Sequence, residues 1–172
     1  MDTIIKLGEP APQFQLPDLS GELHTLIEYQ SWIVVLNFWS AECDWCKRVD
    51  EELITFLDLW KDRVKVLWIT SNDNESADLI VKTAAERKLP TVLVDAGHKV
   101  ADLYGALTTP HFFILDGNGS LKYQGSWDNI TFRQKKATQQ YIPMVIEALV
   151  NGRTPEVSST PAYGCMLVRY LA

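Results

Sequence analysis

Ile33-Val34-Val35-Leu36-Asn37-Phe38-Trp39-Ser40-Ala41-Glu42-Cys43-Asp44-Trp45-Cys46 is the stretch whose reading decides the fold. Ile33 to Phe38 is a β-branched-rich apolar run, the kind buried on both faces of a sheet. After the two cysteines, apolar side chains recur at Cys46, Val49, Leu53, Phe56 or Leu57, and Trp60, which is helical spacing. The C-x-x-C motif therefore falls between a buried strand and a helix. A helix N-terminus offers unpaired N–H groups and a partial positive charge, both of which stabilise a thiolate at Cys43. Cys46, one turn further in, can reach the same sulfur. A pair built this way can attack a disulfide, hold a mixed disulfide and resolve it internally.

A second apolar run, Val64 to Thr70, follows that helix. Strand, helix and strand in this order predict a parallel pair joined by a right-handed crossover, an α/β signature. Ser71-Asn72-Asp73-Asn74 offers capping side chains for a helix over Glu75 to Lys88, stopped by Pro90. Thr91 to Val94 reads as a short strand, Gly97 to Tyr104 as a short helix, and Leu107-Thr108-Thr109-Pro110 as a loop. Phe112 to Leu115 and Leu121 to Gln124 flank Asp116-Gly117-Asn118-Gly119-Ser120, which predicts an antiparallel hairpin. Parallel and antiparallel pairs together give a central mixed β-sheet flanked by helices. A last helix carries Tyr141, Val145 and Leu149 on one face, with Pro143 in its first turns, and ends near Asn151-Gly152. Ahead of the core, Ala11 to Glu22 is broken by prolines and reads as short extended pieces forming a hairpin.

At 172 residues and 47% hydrophobic content, one domain spanning 1–172 is expected, with an N-terminal extension over 1–30 and a C-terminal tail over 153–172. The net charge of -6, without a run of five or more like charges, makes nucleic acid and anionic membrane poor partners. The opening residues have neither a basic region nor an apolar core of a leader, and no stretch approaches about 18 apolar residues. The sequence as written is expected to be cytoplasmic, or extracytoplasmic if a signal peptide was removed. Three cysteines are too few for a disulfide scaffold and leave one over after the close pair, so a reversible redox pair is expected. With no second C-x-x-C and no closely spaced histidines, a structural zinc site is not expected.

The ordered set of motifs resembles the thioredoxin-like redoxin (AhpC/TSA-type) superfamily. Gly8-Glu9-Pro10-Ala11-Pro12-Gln13-Phe14 with Asp18-Leu19-Ser20-Gly21 looks like the N-terminal extension of peroxiredoxins and their reductase relatives. Asn37 to Cys43 looks like the approach to a thioredoxin-type site, and Thr109-Pro110 like the facing cis-proline loop. Ser71-Asn72-Asp73, Val100 to Ala106, Thr109 to Phe113 and Thr160-Pro161-Ala162-Tyr163-Gly164-Cys165 are similar to a peroxiredoxin-like subgroup that ends in a Gly-Cys tail. The resemblance implies a thioredoxin-like fold. It also makes Thr109-Pro110 cis, although sequence alone favours trans, with the residue before the proline pairing to an extended substrate. Two departures limit it. Asn37 stands where thioredoxins carry an aspartate that handles the proton of the buried thiol, and an amide cannot titrate. Leu36 and Ser40 stand where peroxiredoxins carry proline and threonine.

The expected chemistry is thiol-disulfide oxidoreduction on a protein or small-molecule disulfide, with Cys43 as nucleophile and Cys46 as resolving thiol. No metal, haem or nucleotide cofactor is implied; an upstream thiol protein would supply the electrons. Lys47 and the helix N-terminus favour the Cys43 thiolate while Glu42 and Asp44 disfavour it, which predicts a moderately lowered pKa suited to a reductase. Trp45 is expected to be exposed, either as a substrate contact or folded over the sulfurs. Trp39 is expected to pack beneath the motif. Cys165 reads either as a small buried residue of a terminal strand or as a third redox thiol. His111, His24 and His98 lack ligand spacing and read as structural. Two alternatives stay open: a thiol peroxidase in which Cys43 becomes a sulfenic acid resolved by Cys46 or Cys165, and a noncatalytic module docking through Trp45.

Overall fold

The computed structural model describes residues 5–171; residues 1–4, which open the N-terminal extension, and Ala172, which closes the tail, lie outside the described residues. Its centre is β3 (Ile33–Trp39), all seven residues of which are buried. β3 pairs in parallel with β4 (Val64–Thr70), and β4 in parallel with β5 (Val92–Val94). On its other side β3 pairs antiparallel with β7 (His111–Leu115), which forms a hairpin with β8 (Leu121–Gly125). The five-stranded sheet has the order β5-β4-β3-β7-β8 and is mixed.

Alternation along β3 feeds two cores. Ile33, Val35 and Trp39 join Cys46, Val49 and Leu53 of α1 (Asp44–Trp60) and Ile142, Val145 and Ile146 of α4 (Tyr141–Val150). Ile80 and Ala84 of α2 (Ala77–Glu86) belong to the same core. Val34, Leu36 and Phe38 point the other way. They meet Ala101 and Tyr104 of α3 (Lys99–Tyr104), together with Phe14 and Leu16 from the N-terminal segment. That segment forms a small antiparallel hairpin of β1 (Gln15–Pro17) and β2 (Leu23–Thr25). Tyr104 ties it to the core by donating its hydroxyl to Pro12 O at 2.7 Å.

Two local expectations are corrected. α2 begins at Ala77, not Glu75, because Ser76 supplies the cap: its hydroxyl accepts the Leu79 N–H at 3.2 Å. Ser71 is not a cap; its hydroxyl donates to Asp95 Oδ2 at 2.8 Å. The expected loop over Leu107 to Pro110 contains a strand, β6 (Thr108–Thr109), paired antiparallel with β9 (Cys165–Met166) of the C-terminal tail. No spacing rule in either segment signals that pairing, since the partners lie more than fifty positions apart in the chain.

His111 opens β7 and is buried against Phe113, with its Nδ1 accepting the Leu107 N–H at 3.3 Å. Burial pushes its pKa down to about 4, so the folded imidazole is neutral. The unfolded chain takes up the proton near pH 6.5. The contribution is therefore full above that pH and is lost as pH falls toward about 4, by at most about 3 kcal/mol. His111→Gln is expected to flatten the fall of the urea midpoint between pH 6.5 and 4; an unchanged slope would count against the assignment.

Candidate active site

Cys43 is the N-cap residue of α1, with extended backbone, and its carbonyl accepts the first helical bond from the Lys47 N–H at 3.0 Å. Its sulfur is joined in a disulfide to Cys165, 122 residues away, with 6.1 Å between the Cα atoms. Cys46, in the first turn of α1, is a free thiol and fully buried. Burial pushes its pKa well above the ordinary thiol value, and the Asp50 carboxylate adds to the shift. Sequence spacing brought Cys43 and Cys46 together. The structure adds Cys165 as the bonded partner.

Thr109 and Pro110 face the disulfide. The peptide bond between them is cis, both residues are buried, and Thr109 O lies 3.1 Å from Cys43 Sγ. Thr109 pairs with Cys165, and Thr108 with Met166. The rest of the tail is held by three segments distant from one another in the chain. Asn72 Oδ1 accepts the Val168 N–H at 2.8 Å and Asp73 Oδ2 the Tyr170 N–H at 2.6 Å. Arg169 donates to Asp102 Oδ1 and to Ala106 O, both at 2.7 Å. Upstream, Thr160 Oγ1 accepts the Ser126 N–H at 3.0 Å. The tail is a strap across the cysteines, which the Gly-Cys ending alone did not indicate.

Trp45 was expected to be exposed; it is half-buried. Tyr163 of the tail meets it edge-on at 4.9 Å and Phe132 at 5.7 Å, because the strap passes over the motif. Glu42 and Asp44 are exposed. The Glu42 backbone N–H donates to Glu75 Oε1 at 3.1 Å, and the same oxygen accepts the Ser40 hydroxyl. Glu75 thus braces the turn leading into Cys43, and Ser40 is engaged structurally. Nothing in its sequence position marked Glu75 for this role.

Beneath the motif lies a carboxylate that sequence reading did not name. Asp50 follows Cys46 by four residues, hence on the same helix face, and both are buried. Its Oδ2 accepts Trp39 Nε1 at 2.7 Å and Arg87 Nη1 at 3.0 Å, and its Oδ1 accepts Trp68 Nε1 at 2.9 Å. Burial raises its pKa, against the lowering effect of those three donors. Arg87 also donates to Ala41 O at 2.8 Å, tying the network to the turn before Cys43. Asn37 is fully buried, and neither of its amide atoms has a hydrogen-bond partner among the described residues. The i to i+4 spacing from Cys46 was the one signal for Asp50. His24 contacts Tyr29 and Asp18, and His98 contacts Asp102 and Asp73.

A free thiol and a disulfide gathered at a helix start, beside a cis-proline loop on a mixed sheet, define a thioredoxin-like thiol-disulfide oxidoreductase. Residues 7–124 match the AhpC/TSA family, and the chain belongs to that family. The thiol-disulfide oxidoreductase ResA of Geobacillus thermodenitrificans strain NG80-2 is 32% identical over 126 residues, covering 70% of this chain and 69% of that protein. The crystal structure of an uncharacterized conserved protein from Geobacillus kaustophilus matches with a TM-score of 0.90 at 26% identity, over 98% of this chain and 94% of that one. The thioredoxin domain of a thiol-disulfide oxidoreductase from Bacteroides vulgatus, 23% identical, shares the fold with a TM-score of 0.61, over 68% of this chain and 86% of its own. The family match stops before the tail, whereas the 98% structural match extends into it. No helix among the described residues is long and apolar enough to cross a membrane.

A cross-link closing a loop of 122 residues stabilises by about 5 kcal/mol in the chain-entropy model. Cys165→Ser is expected to lower the urea-derived stability by several kcal/mol relative to the oxidised protein, and by much less relative to the dithiothreitol-reduced protein. Equal midpoints for the variant and the oxidised protein would refute this.

Proposed function

We propose that the protein reduces or exchanges disulfides of polypeptide partners, with Cys43 as the attacking sulfur and Cys46 as the resolving sulfur. The observation that carries this reading is the bond at Cys43. Its sulfur is joined to a cysteine on an extended strand, while the second thiol of the motif stays free and buried. In the reduced chain, the N-terminus of α1 favours the Cys43 thiolate. That thiolate attacks a partner disulfide, forming a Cys43–partner bond and releasing one partner thiolate. The Cys46 thiolate then attacks Cys43 Sγ, forming Cys43–Cys46 and releasing the second partner thiolate. Two electrons from an upstream thiol protein reopen the pair; a reducing compartment such as the cytoplasm fits that supply. Ser40, bonded to Glu75, has its hydroxyl turned to structure instead of peroxide, which favours disulfide exchange over the peroxidase alternative.

Cys46 must lose its proton before it can resolve the mixed disulfide, and burial holds that proton on. Asp50 is the proton acceptor we assign, since it lies one turn along α1 and its own raised pKa makes it a stronger base than an ordinary carboxylate. Trp45 and Thr109 with Pro110 supply the surface on which the partner chain lies.

Cys43→Ser is expected to abolish reduction of a protein disulfide, and Cys46→Ser combined with Cys165→Ser to accumulate the mixed disulfide on Cys43, read by intact mass. A mixed disulfide on Cys46, or unchanged turnover in Cys43→Ser, would overturn the assignment. Asp50→Asn is expected to slow the resolving step by about tenfold or more and to move its pH profile upward, measured by stopped-flow tryptophan fluorescence. An unaltered profile would remove Asp50 from the proton path. The reduction potential is expected nearer to thioredoxin's, about -270 mV, than to the strong oxidant value of about -120 mV; redox titration followed by fluorescence measures it.

A further inference from the structure

The strand carrying Cys165 shows what a polypeptide bonded to Cys43 looks like in this groove. Its backbone pairs with Thr108 and Thr109 in antiparallel register, and the Leu167 N–H donates to Leu107 O at 3.1 Å. The residue before the bonded cysteine is Gly164, and a Cβ at that position would overlap the Thr109 carbonyl and touch the Pro110 ring. Both are fixed: Thr109 is buried and Pro110 is followed at once by β7. A backbone carbonyl cannot rotate away as the end of a long side chain can, so this register admits only glycine there. One residue further back, the Tyr163 ring meets Trp45 edge-on. On the other side of the cysteine, Met166 is 81% exposed, so the following position is unconstrained.

We propose that the C-terminal strand is a tethered substrate, and that the groove beside Cys43 selects external partners by the same rule. The preferred partner is an extended segment with an aromatic residue and then glycine immediately before the reacting cysteine. This rests on the reading of Cys43 as the attacking sulfur. The tail competes as an intramolecular ligand, so a partner gains access once the Cys43–Cys165 bond opens. That opening is a thiol-disulfide exchange: the Cys46 thiolate bonds to Cys43 Sγ, the Cys43–Cys165 bond breaks, and Cys165 leaves as a thiolate that takes up a proton. No electrons are gained or lost by the chain in that step; the upstream thiol protein then supplies two electrons and two protons to Cys43–Cys46, which frees Cys43 to attack a partner.

The test uses the full chain carrying Cys165→Ser, with Cys46→Ser to retain the product. It is offered Pro-Ala-Tyr-Gly-Cys-Met-Leu, the sequence of residues 161–167, activated as a nitrothiobenzoate mixed disulfide, beside the same peptide with alanine for the glycine. Rates of chromophore release are each divided by the rate of that peptide with free dithiothreitol. The glycine peptide is expected to react at least fivefold faster. A smaller preference overturns the proposal while leaving Cys43 as the attacking sulfur. Failure of a folded protein to react with either peptide, while a small aromatic disulfide still modifies Cys43, overturns the proposal; failure with the small disulfide as well overturns that assignment too. Independently, Gly164→Ala in the otherwise unaltered chain, oxidised and mapped by mass spectrometry, is expected to lose at least fivefold of its Cys43–Cys165 bond. An undiminished bond would overturn the steric argument on which the selection rests.

Discussion

Pairing of Phe38 with His111, the last step of the β3–β7 ladder, sets the distance on which the chemistry depends. β3 leaves the sheet one residue after Phe38 and turns into Cys43, and β7 enters at His111 directly after Pro110. The same ladder rung therefore delivers the sulfur and the Thr109 backbone to each other. Its register is strongly specified, because β3 is buried on both faces and a shift by one residue would exchange the side chains of the two cores. Trp39 would leave Asp50 and Phe38 would leave Tyr104.

A buried ion pair lies under the site, where an apolar core would often be at least as stable. Asp50 is tolerated because three donors saturate it and Arg87 supplies the compensating charge. The two tryptophans are large enough to seal the network and still spend their indole N–H groups on it. The arrangement ties α1, β3, β4 and the residue after α2 to one carboxylate, so the segments positioning Cys43 and Cys46 share one support. Asn37, by contrast, leaves two buried polar atoms without protein partners, a desolvation cost for which the described residues offer no structural return.

The tail turns an otherwise open sulfur into a covered one. Asn72 and Asp73 beyond β4, Asp102 and Ala106 around α3, and Thr109 before β7 all contribute to its clasp. These segments are far apart in the chain but meet at one end of the sheet. The clasp combines hydrogen bonds to backbone and side-chain oxygens, each worth about 1 kcal/mol, with one buried apolar anchor, Leu167, while the disulfide is the covalent lock. Closure is coupled to oxidation state through that lock.

Local chemistry made much of this legible in sequence. The apolar run of β3 and the 3.6-residue spacing after it gave the strand, the helix and the cysteine pair at their junction, because burial patterns and helix periodicity act over a few residues. The Asn-Gly turn and the proline stops gave the hairpin and the helix ends for the same reason. What depends on residues meeting across the chain was decided only by the tertiary structure. The role of Asp50 arises from indoles on two strands and an arginine beyond α2. The half-burial of Trp45 comes from Tyr163, more than a hundred positions away. The bond of Cys43 to Cys165 in place of Cys46 follows from where the tail lies along β6. Sequence by itself determined which chemistry the chain carries; only the fold could decide which sulfurs meet, because that is fixed by strand register and by packing between distant segments.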